Sequence, residues 1–492
     1  MPSSPRRPAV AAVLPEARSW LERLWSSIAD RGTAYAQVPE ASAPPLERAT
    51  RLAEAQLSER GEASGAAVAR ELHAALRSLG PEDRAAFYGF LAERFGPAEA
   101  PLRKAAEAYL AEPSPEHAMQ LAAAAEPPRQ ELLRRMNMAP GGTAALVAIR
   151  KEILGMLRAH PALQPLDADL RHLLASWFNR GFLELRRIDW QTPAAVLEKL
   201  IAYEAVHEIQ GWDDLRRRLA ADRRCFGFFH PTLPGEPLIF VEVALVRGLA
   251  AAVQPLLSRD DPAGDAAQAD TAIFYSISNC QDGLRGISFG NFLIKQVVEE
   301  LKLELPQLVR FSTLSPVPGF RRWLERRLDA ADASGPAFRE EEAAQLVAAA
   351  GDKATGTAEA FRALTESPEW WRDTARAALL KAPLLRLCAE YLTRPNKGMA
   401  AIDPVARFHL GNGARLERVN WLGNVSPRGL KESFGVMVNY LYDPDAIEEY
   451  HEAFIHSGVV ARSPQVDALL ARPAPAPAAP PPKRRLARVR GS

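Results

Sequence analysis

The spacing of apolar residues changes near Trp190, and this change limits what the chain can fold into. From about Ala17 to Arg186, apolar residues recur at helical spacing in segments separated by Pro or Gly, which predicts a bundle of amphipathic helices. After Trp190 come short β-rich runs, separated by helical segments such as FGNFLIKQVVEELKLEL. The runs are RRCFGFFHP, LIFVEVALV, TAIFYSISNC, LVRFSTLSP, RLERVNWLG and GVMVNYLY. The sequence therefore predicts an all-α bundle followed by an α/β or α+β region.

A chain of 492 residues is too long for one ordinary hydrophobic core, so we expect at least two domains. We predict an α-helical domain at 1–186, whose composition suits a packing or oligomerisation module, and a second domain at 187–472. Within the second domain, a helical stretch at about 321–397 is predicted to be an insertion between two strands. The tail at 473–492 is Pro/Ala-rich and basic, and it has too few large apolar side chains to fold.

Charge and cysteine content argue against several classes of protein. The 61 Lys and Arg residues nearly balance the 60 Asp and Glu residues, so no global charge favours nucleic acid or an anionic membrane. The three cysteines lack CxxC spacing and the histidines lack the spacing of a metal site, so neither disulfides nor a metal are indicated. No apolar run reaches the roughly 20 residues that span a bilayer, and no signal-peptide segment is evident, so we expect a cytoplasmic protein.

A Gly-rich turn follows the run TAIFYSISNC and precedes a helix predicted to begin near Asn291. Apolar residues form one stripe on this helix, at Leu293, Val297 and Leu301, with Ile294 and Val298 beside it. Glycines let the backbone turn tightly and approach a ligand, and the free N–H groups of the helix N-terminus can hold a phosphate. A strand, a Gly-rich turn and a helix also occur together for packing alone, and the sequence leaves both interpretations open. The candidate binding residues are Arg285, Gly286, Ile287, Ser288, Phe289, Gly290 and Asn291.

Two further segments place polar residues in constrained surroundings. Ser315, in FSTLSPVPGF, follows a predicted strand that ends at Leu314 and precedes two prolines, although a Ser-Pro pair can equally start a simple turn. His409, in FHLGNGA, is predicted to lie on a strand that leads into a Gly-Asn-Gly loop, where its imidazole and the Asn412 amide can reach one point. A histidine between apolar neighbours is also common as a structural residue.

Several common catalytic signatures are absent from the sequence. It contains no GxxxxGK[ST] loop, no GxGxxG turn, no HExxH pair and no lysine context that demands a pyridoxal Schiff base. We therefore expect chemistry that uses no cofactor, or chemistry that the substrate itself supplies.

Taken together, these segments resemble the malonyl-CoA decarboxylase family. The resemblance runs from about Asp169 to Tyr442, through DLRHLLASWFNRGFL, PGEPLIFVEVAL, GNFLIKQVVEEL, FSTLSPVPGF, FHLGNGA and NWLGNVSPRGL. It implies an α-helical N-terminal domain used in oligomerisation and a catalytic domain of the N-acetyltransferase (GNAT) fold that binds coenzyme A. It also implies a homo-oligomer, dimer or tetramer, that converts malonyl-CoA to acetyl-CoA and CO2 without a metal or organic cofactor.

The resemblance assigns residues as well as an activity. Ser315 and His409 match the catalytic pair of the family, and 285–291 matches the segment that holds its acyl-CoA. Eukaryotic members have Glu where this chain has Ser288, so no acid role is assigned there. They also end in a peroxisomal tripeptide that this chain lacks, which suggests a bacterial cytosolic member.

The reaction implied by the resemblance needs no cofactor to accept electrons, because the thioester carbonyl can accept the charge left by CO2 as an enolate. The protein has to stabilise that oxyanion, orient and desolvate the carboxylate, and deliver a proton to C2. Asn412 and Tyr440 are further candidate donors, whereas Tyr442 is equally suited to the core. An acyltransferase with the same CoA site, or a non-catalytic CoA sensor built on the helical region, remains an alternative.

Overall fold

The structure is a computed structural model, and it describes residues 43–58, 61–287, 293–329, 336–394 and 403–471. Three sequence predictions fall outside these ranges. They are the helix expected from about Ala17, the tail at 473–492, and four of the candidate binding residues, Ser288, Phe289, Gly290 and Asn291.

Contacts divide the chain into two compact units. The first unit comprises Met1–Ala244, Pro262–Ala266 and Ser276–Pro306, and the second comprises Leu245–Asp261, Ala267–Tyr275 and Gln307–Ser492. These units divide the chain differently from the predicted domains at 1–186 and 187–472, so the domain boundaries stay a prediction.

The first unit begins with α-helices that follow the amphipathic pattern of the sequence. They are α1 (Pro45–Leu57), α2 (Gly61–Ser78), α3 (Pro81–Arg94), α4 (Glu99–Ala111), α5 (Pro115–Ala125), α6 (Pro128–Asn137), α7 (Gly142–Met156) and α8 (Gln164–Trp177). Proline occupies the first position of α1, α3, α5 and α6, where its missing N–H costs no intrahelical hydrogen bond. The apolar faces of α1, α2, α3, α6, α7 and α8 meet in one core that includes Leu72, Phe87, Leu132, Leu146 and Leu170, whereas α4 and α5 have no buried residues.

The remaining elements mix helices and strands. The strands are β1 (Glu184–Ile188), β2 (Arg223–Phe229), β3 (Pro237–Val246), β4 (Thr271–Asn279), β5 (Arg310–Thr313), β6 (Ser315–Pro316), β7 (Arg415–Asn420) and β8 (Met437–Tyr442). The helices are α9 (Ala194–Tyr203), α10 (Trp212–Arg218), α11 (Gln254–Leu257), α12 (Leu293–Glu304), α13 (Phe320–Asp329), α14 (Glu340–Ala350), α15 (Thr357–Thr365), α16 (Thr374–Thr393), α17 (Pro404–Gly411), α18 (Pro427–Ser433), α19 (Ile447–Ser457) and α20 (Pro464–Leu470).

The strands form a mixed sheet in the order β1-β2-β3-β4-β5-β8-β6, with β7 paired to β8. In the first unit, β2 runs antiparallel to both β1 and β3, and the Cys280 N–H after β4 donates to the Leu238 carbonyl of β3. In the second unit, the start of β4 runs parallel to β5, while β8 is antiparallel to β5, β6 and β7. A parallel pair needs a crossover, and α12 lies in the connection from β4 to β5. The predicted fold class, a helical region followed by an α/β region, is confirmed.

The prediction of helix up to Arg186 is wrong at its end, because β1 begins at Glu184 and pairs with β2. Charged side chains occupy three of the five positions of this strand, and only Ile188 is buried. A strand with so few apolar residues shows no alternation in the sequence, so the pattern could not identify it.

The apolar stripe predicted for the helix after the Gly-rich turn is confirmed in α12. Leu293, Ile294, Val297, Val298 and Leu301 are all buried there. Between β6 and β7 the described chain is helical, from α13 to α17. In the described part of the chain, none of the helices combines the length and apolar character that crossing a membrane requires.

Gly283, which precedes the candidate binding residues, packs directly against α7. A Cβ at this position would overlap the carbonyl oxygen of Val147, and Arg150 Nη1 donates to the Gly283 carbonyl at 2.6 Å. We expect Gly283→Ala to lower the free energy of unfolding by about 1–3 kcal/mol, because backbone must move to admit the methyl group. Gly89→Ala is the matched control, since a Cβ there meets open space inside α3, and it should raise stability by roughly 0.5–1 kcal/mol. Calorimetry measures the free energy of unfolding of both variants and checks these opposite changes.

Candidate active site

Ser315 lies at the start of β6, where Pro316 and Pro318 follow it before α13 begins. It pairs with Val438 of β8, and its side chain is buried. The Ser315 hydroxyl donates to Thr313 Oγ1 at 2.8 Å, and the same Thr313 oxygen accepts the Tyr440 N–H at 3.1 Å. The hydroxyl is therefore held by the sheet itself rather than by a loop.

His409 lies near the C-terminal end of α17, so the prediction that it is on a strand is wrong. Asp403 caps this helix by accepting hydrogen bonds from two N–H groups of its first turn, and Pro404 occupies its first position. Asp-Pro is a helix-start signal that outweighs the apolar residues on either side of His409. Gly413, with φ of +79°, ends the helix, because its N–H bonds back to the Leu410 carbonyl.

The structure brings Ser315 and His409 together in the second unit. Ser315 Oγ lies 3.0 Å from His409 Nε2, and the Tyr442 hydroxyl lies 2.8 Å from His409 Nδ1. The Tyr440 ring stacks on the imidazole, with ring centroids 4.8 Å apart and planes inclined by 25°. All four side chains are buried. Both ring nitrogens of His409 therefore have partners, and one face of the ring is covered.

Burial controls the charge of this cluster. It lowers the pKa of His409 to about 3 and raises the pKa of the Tyr442 phenol, because a charged ring or phenolate would lose its hydration. At neutral pH both side chains are therefore uncharged. A neutral imidazole carries one N–H only, so one of its nitrogens donates and the other accepts.

The hydrogen bond with Tyr442 decides which nitrogen donates. Within the described residues, the buried Tyr442 hydroxyl has His409 Nδ1 as its one hydrogen-bond partner, and an unused buried O–H would cost about 1–3 kcal/mol. Tyr442 therefore donates to Nδ1, which leaves the proton on Nε2. His409 Nε2–H then donates to Ser315 Oγ, and Ser315 donates to Thr313.

This direction is opposite to that of a nucleophilic serine. In a Ser-His-Asp triad the imidazole accepts the serine proton, and a carboxylate on the far side stabilises the resulting cation. Here the far side of His409 holds a phenol, and the imidazole donates toward Ser315. The cluster offers an N–H donor and a hydroxyl to a ligand rather than an activated nucleophile.

The other predicted site residues occupy different positions. Asn412 is buried, and its side-chain amide donates to the Phe408 carbonyl at 2.6 Å, so it helps to close the end of α17. Arg285 is exposed and pairs with Asp282 at 3.3 Å, in the first unit. Gly286 has φ of +77°, which suits glycine, and Ile287 is buried.

Sequence reasoning missed Thr313 and Asp403 and gave Tyr442 no definite role. Alternation along strands carried some of this information, since Thr313 is two residues before Ser315 and Tyr442 is two residues after Tyr440. The partners of Tyr442 and Asp403 lie 33 and 84 residues away in sequence, at His409 and Gly319, so the pattern could not supply them. Among the residues that the structure describes, no group of three or more His, Cys, Asp or Glu is arranged to hold a metal ion.

The tautomer of His409 can be tested by nitrogen-15 NMR. In the unaltered chain we expect the neutral Nε2–H form throughout pH 5–8, whereas Tyr442→Phe should give a mixture of tautomers because the donor to Nδ1 is lost.

The low pKa of His409 also makes the stability of the fold depend on pH. The pKa of an unfolded histidine is near 6.5, so the stability that depends on neutral His409 is present above that pH and is lost as pH falls toward 3.

His409→Gln identifies the signals, and Ser315→Ala is the matched control, because it removes the partner of Nε2 and leaves Tyr442 on Nδ1. An Nδ1–H form in the unaltered chain would contradict the direction argued above.

Comparisons with known proteins agree with one family. The models of the malonyl-CoA decarboxylase N-terminal and C-terminal domains match residues 95–178 and 181–479. The mitochondrial malonyl-CoA decarboxylase of Anser anser anser is 38% identical over 349 residues, which is 69% of each chain. The rat enzyme is 36% identical over 350 residues, 69% of this chain and 70% of the relative.

Solved structures of malonyl-CoA decarboxylases are also similar to this chain. The one from Rhodopseudomonas palustris has 50% identity and a TM-score of 0.78, covering 87% of this chain and all 100% of the other. The one from Agrobacterium vitis has 49% identity and a TM-score of 0.77, covering 86% and 100%. The chain therefore belongs to the malonyl-CoA decarboxylase family.

Proposed function

We propose that this protein converts malonyl-CoA to acetyl-CoA and CO2, with Ser315 and His409 at the reacting end of the substrate. The observation that carries the proposal is the 3.0 Å contact between His409 Nε2 and Ser315 Oγ, in a buried site of a chain from this family. These are the two residues that the resemblance assigns as the catalytic pair.

The reaction breaks the bond between C2 and the carboxylate carbon, and the electron pair moves to the thioester oxygen as an enolate. A proton must then reach C2, which gives acetyl-CoA. His409 is neutral in the free protein because burial lowers its pKa to about 3, but an adjacent malonyl carboxylate opposes that shift. The substrate itself thus favours the protonated imidazole, which can donate to C2 through Nε2.

Two roles suit Ser315 equally well. Its hydroxyl hydrogen points to Thr313 Oγ1, and rotation about the Cβ–Oγ bond would turn it toward a substrate oxygen. It can then orient the malonyl carboxylate, or it can relay a proton between His409 and the enolate. Tyr440 supports His409 by stacking on its ring, and Asn412 is a further candidate for contact with the substrate.

The coenzyme A phosphates are proposed to bind at 285–291. Gly286 supports this assignment, because its φ of +77° makes the tight turn that close approach of a phosphate requires. A catalytic domain with the GNAT fold is part of the same proposal, and the parallel pair of β4 with β5, beside the antiparallel pairs β1–β2, β2–β3, β5–β8, β6–β8 and β7–β8, is compatible with it. Preference for malonyl-CoA over methylmalonyl-CoA is left open, because one methyl group is worth only about 1–3 kcal/mol of pocket contact.

We further propose a cytoplasmic homo-oligomer, dimer or tetramer, that assembles through the helical region. The Ala- and Leu-rich faces of that region and the family resemblance support this proposal. Light scattering of the purified chain measures the number of subunits.

One assay separates the proposed function from its alternatives. The purified protein is incubated with malonyl-CoA alone, and acetyl-CoA and CO2 are followed by mass spectrometry and isotope release. A decarboxylase forms both in equal amounts. An acyltransferase needs an acceptor before it consumes the thioester, and a CoA sensor consumes none, so an intact substrate would refute the proposal.

We predict that His409→Asn and Ser315→Ala each lower kcat by about 10²–10⁴, the usual contribution of a positioned acid or base, while CoA affinity changes little. The double variant should be little worse than the worse single one, because residues that act as a unit are not additive. His456→Asn and Ser176→Ala, at exposed positions, are the matched controls and should keep full activity. Near-normal turnover by either single variant would refute the assigned roles.

A further inference from the structure

Asp403 is a buried carboxylate that bonds to both halves of the site. Its exposed fraction is 1%, and it immediately precedes α17, the helix that carries His409. Oδ1 accepts the N–H groups of Val405 at 2.9 Å and Ala406 at 3.3 Å. Oδ2 accepts the Gly319 N–H at 3.0 Å and faces the Tyr391 hydroxyl at 3.4 Å. One carboxylate therefore joins the start of α17 to the turn that follows Ser315.

Gly319 allows this contact because it has no side chain. A Cβ there would overlap the Tyr391 hydroxyl and would lie 3.1 Å from Asp403 Oδ2. Tyr391 is held in place by the rings of Phe320 and Trp323, at centroid distances of 6.1 and 5.2 Å. The turn after Ser315 thus contacts Asp403 through its backbone alone. The Tyr391 ring, held by Phe320 and Trp323, limits the movement of this turn.

Capping of α17 does not by itself explain why an aspartate occupies position 403. Ser114, Ser426 and Ser463 cap α5, α18 and α20 by accepting one N–H each, and a serine would serve α17 in the same way. Among the described residues Asp403 has no ion pair with Lys or Arg, and burial raises its pKa against the opposing effect of its N–H partners. A buried carboxylate without a cation is costly, so the bond made by its second oxygen is the feature that a serine cannot replace.

The contact to Gly319 matters because the catalytic pair comes from elements 94 residues apart in sequence. Gly319 lies four residues after Ser315, and Asp403 lies six residues before His409. A short helix moves as a rigid body, so a shift at its first turn is transmitted to the imidazole. In a positioned site a displacement of about 1 Å can cost roughly 10²-fold in rate.

We propose that Asp403 is a positioning residue, whose carboxylate fixes the turn after Ser315 against the first turn of α17 and thereby sets the Ser315–His409 hydrogen bond. The proposal rests on the proposed decarboxylation only where activity is the readout. Asp403 does not contact the reacting atoms in this account, and it acts through the two residues that do.

The test compares Asp403→Ser with a matched control. Asp403→Ser keeps an N-cap acceptor and removes the bond to Gly319, so kcat should fall by roughly 10- to 100-fold while KM for malonyl-CoA changes by less than about threefold. Asp373→Ser is the control, because Asp373 caps α16 through one N–H of that helix and is remote in sequence from the pair. It should leave kcat and KM unchanged.

A double-variant cycle separates positioning from general stability. In a Ser315→Ala background the pair is already broken, so Asp403→Ser should lower kcat by less than about twofold further. Equal losses in both backgrounds would show that Asp403 supports the fold rather than the pair, and would overturn the proposal. Unchanged kcat in a folded Asp403→Ser variant would overturn it as well.

The geometry of the Ser315–His409 pair can also be measured directly, without activity as the readout. The Nε2–H signal of His409 should shift or broaden in Asp403→Ser, and a crystal structure should place Ser315 Oγ beyond 3.5 Å from Nε2, the limit of a hydrogen bond. If Asp403→Ser does not fold, Asp403→Asn replaces it, because an amide cannot accept at both positions. If the unaltered protein leaves malonyl-CoA intact, the proposed function fails, whereas this distance still decides whether Asp403 fixes the pair.

Discussion

Burial of the His409 imidazole is the constraint on which the rest of the site depends. Because burial lowers its pKa to about 3, the ring has one N–H at neutral pH and must divide its two nitrogens into a donor and an acceptor. Tyr442 occupies the acceptor, so the donor faces Ser315. The neutral ring and its hydrogen bond with Tyr442 together set the direction of each hydrogen bond from Tyr442 to Thr313.

A phenol beside His409 suits an anionic substrate better than a carboxylate would. A carboxylate on Nδ1 would hold the imidazole as a cation in the free protein, and it would add a negative charge near the malonyl carboxylate. Tyr442 orients the ring without that charge, since burial keeps its pKa raised and the phenol neutral. In the proposed reaction the substrate brings a carboxylate next to the imidazole, so protonation of His409 is coupled to binding.

Much of the fold could be predicted from local sequence, because apolar spacing reflects burial directly. The runs that became β2, β3, β4 and β8 were identified this way, and so was the buried stripe of α12. The charged strand β1 and the short helix α17 were not, because one lacks apolar residues and the other is only eight residues long. The family resemblance predicted that Ser315 and His409 act as a pair, which local patterns left open, and the structure places their side chains 3.0 Å apart. The role of Tyr442 depends on His409, 33 residues away in sequence. Thr313 bonds to the nearby Ser315, but also to the Tyr440 N–H, 127 residues away.

The same buried surroundings act in opposite ways on the base and on the acid of this region. Loss of hydration lowers the pKa of His409 and raises that of Asp403, so each is driven toward its neutral form. Among the described residues, the hydrogen-bond partners of His409 are the neutral Ser315 and Tyr442, so the ring stays uncharged. Asp403 accepts from three backbone N–H groups, which favour the carboxylate. The interior thus gives N–H donors to the carboxyl that joins two pieces of backbone, and it removes charge from the ring that faces Ser315. Because Asp403 bonds to backbone, the proposed positioning of Ser315 and His409 needs no ligand. Because His409 is neutral, its protonation can still respond to the charge of a bound ligand.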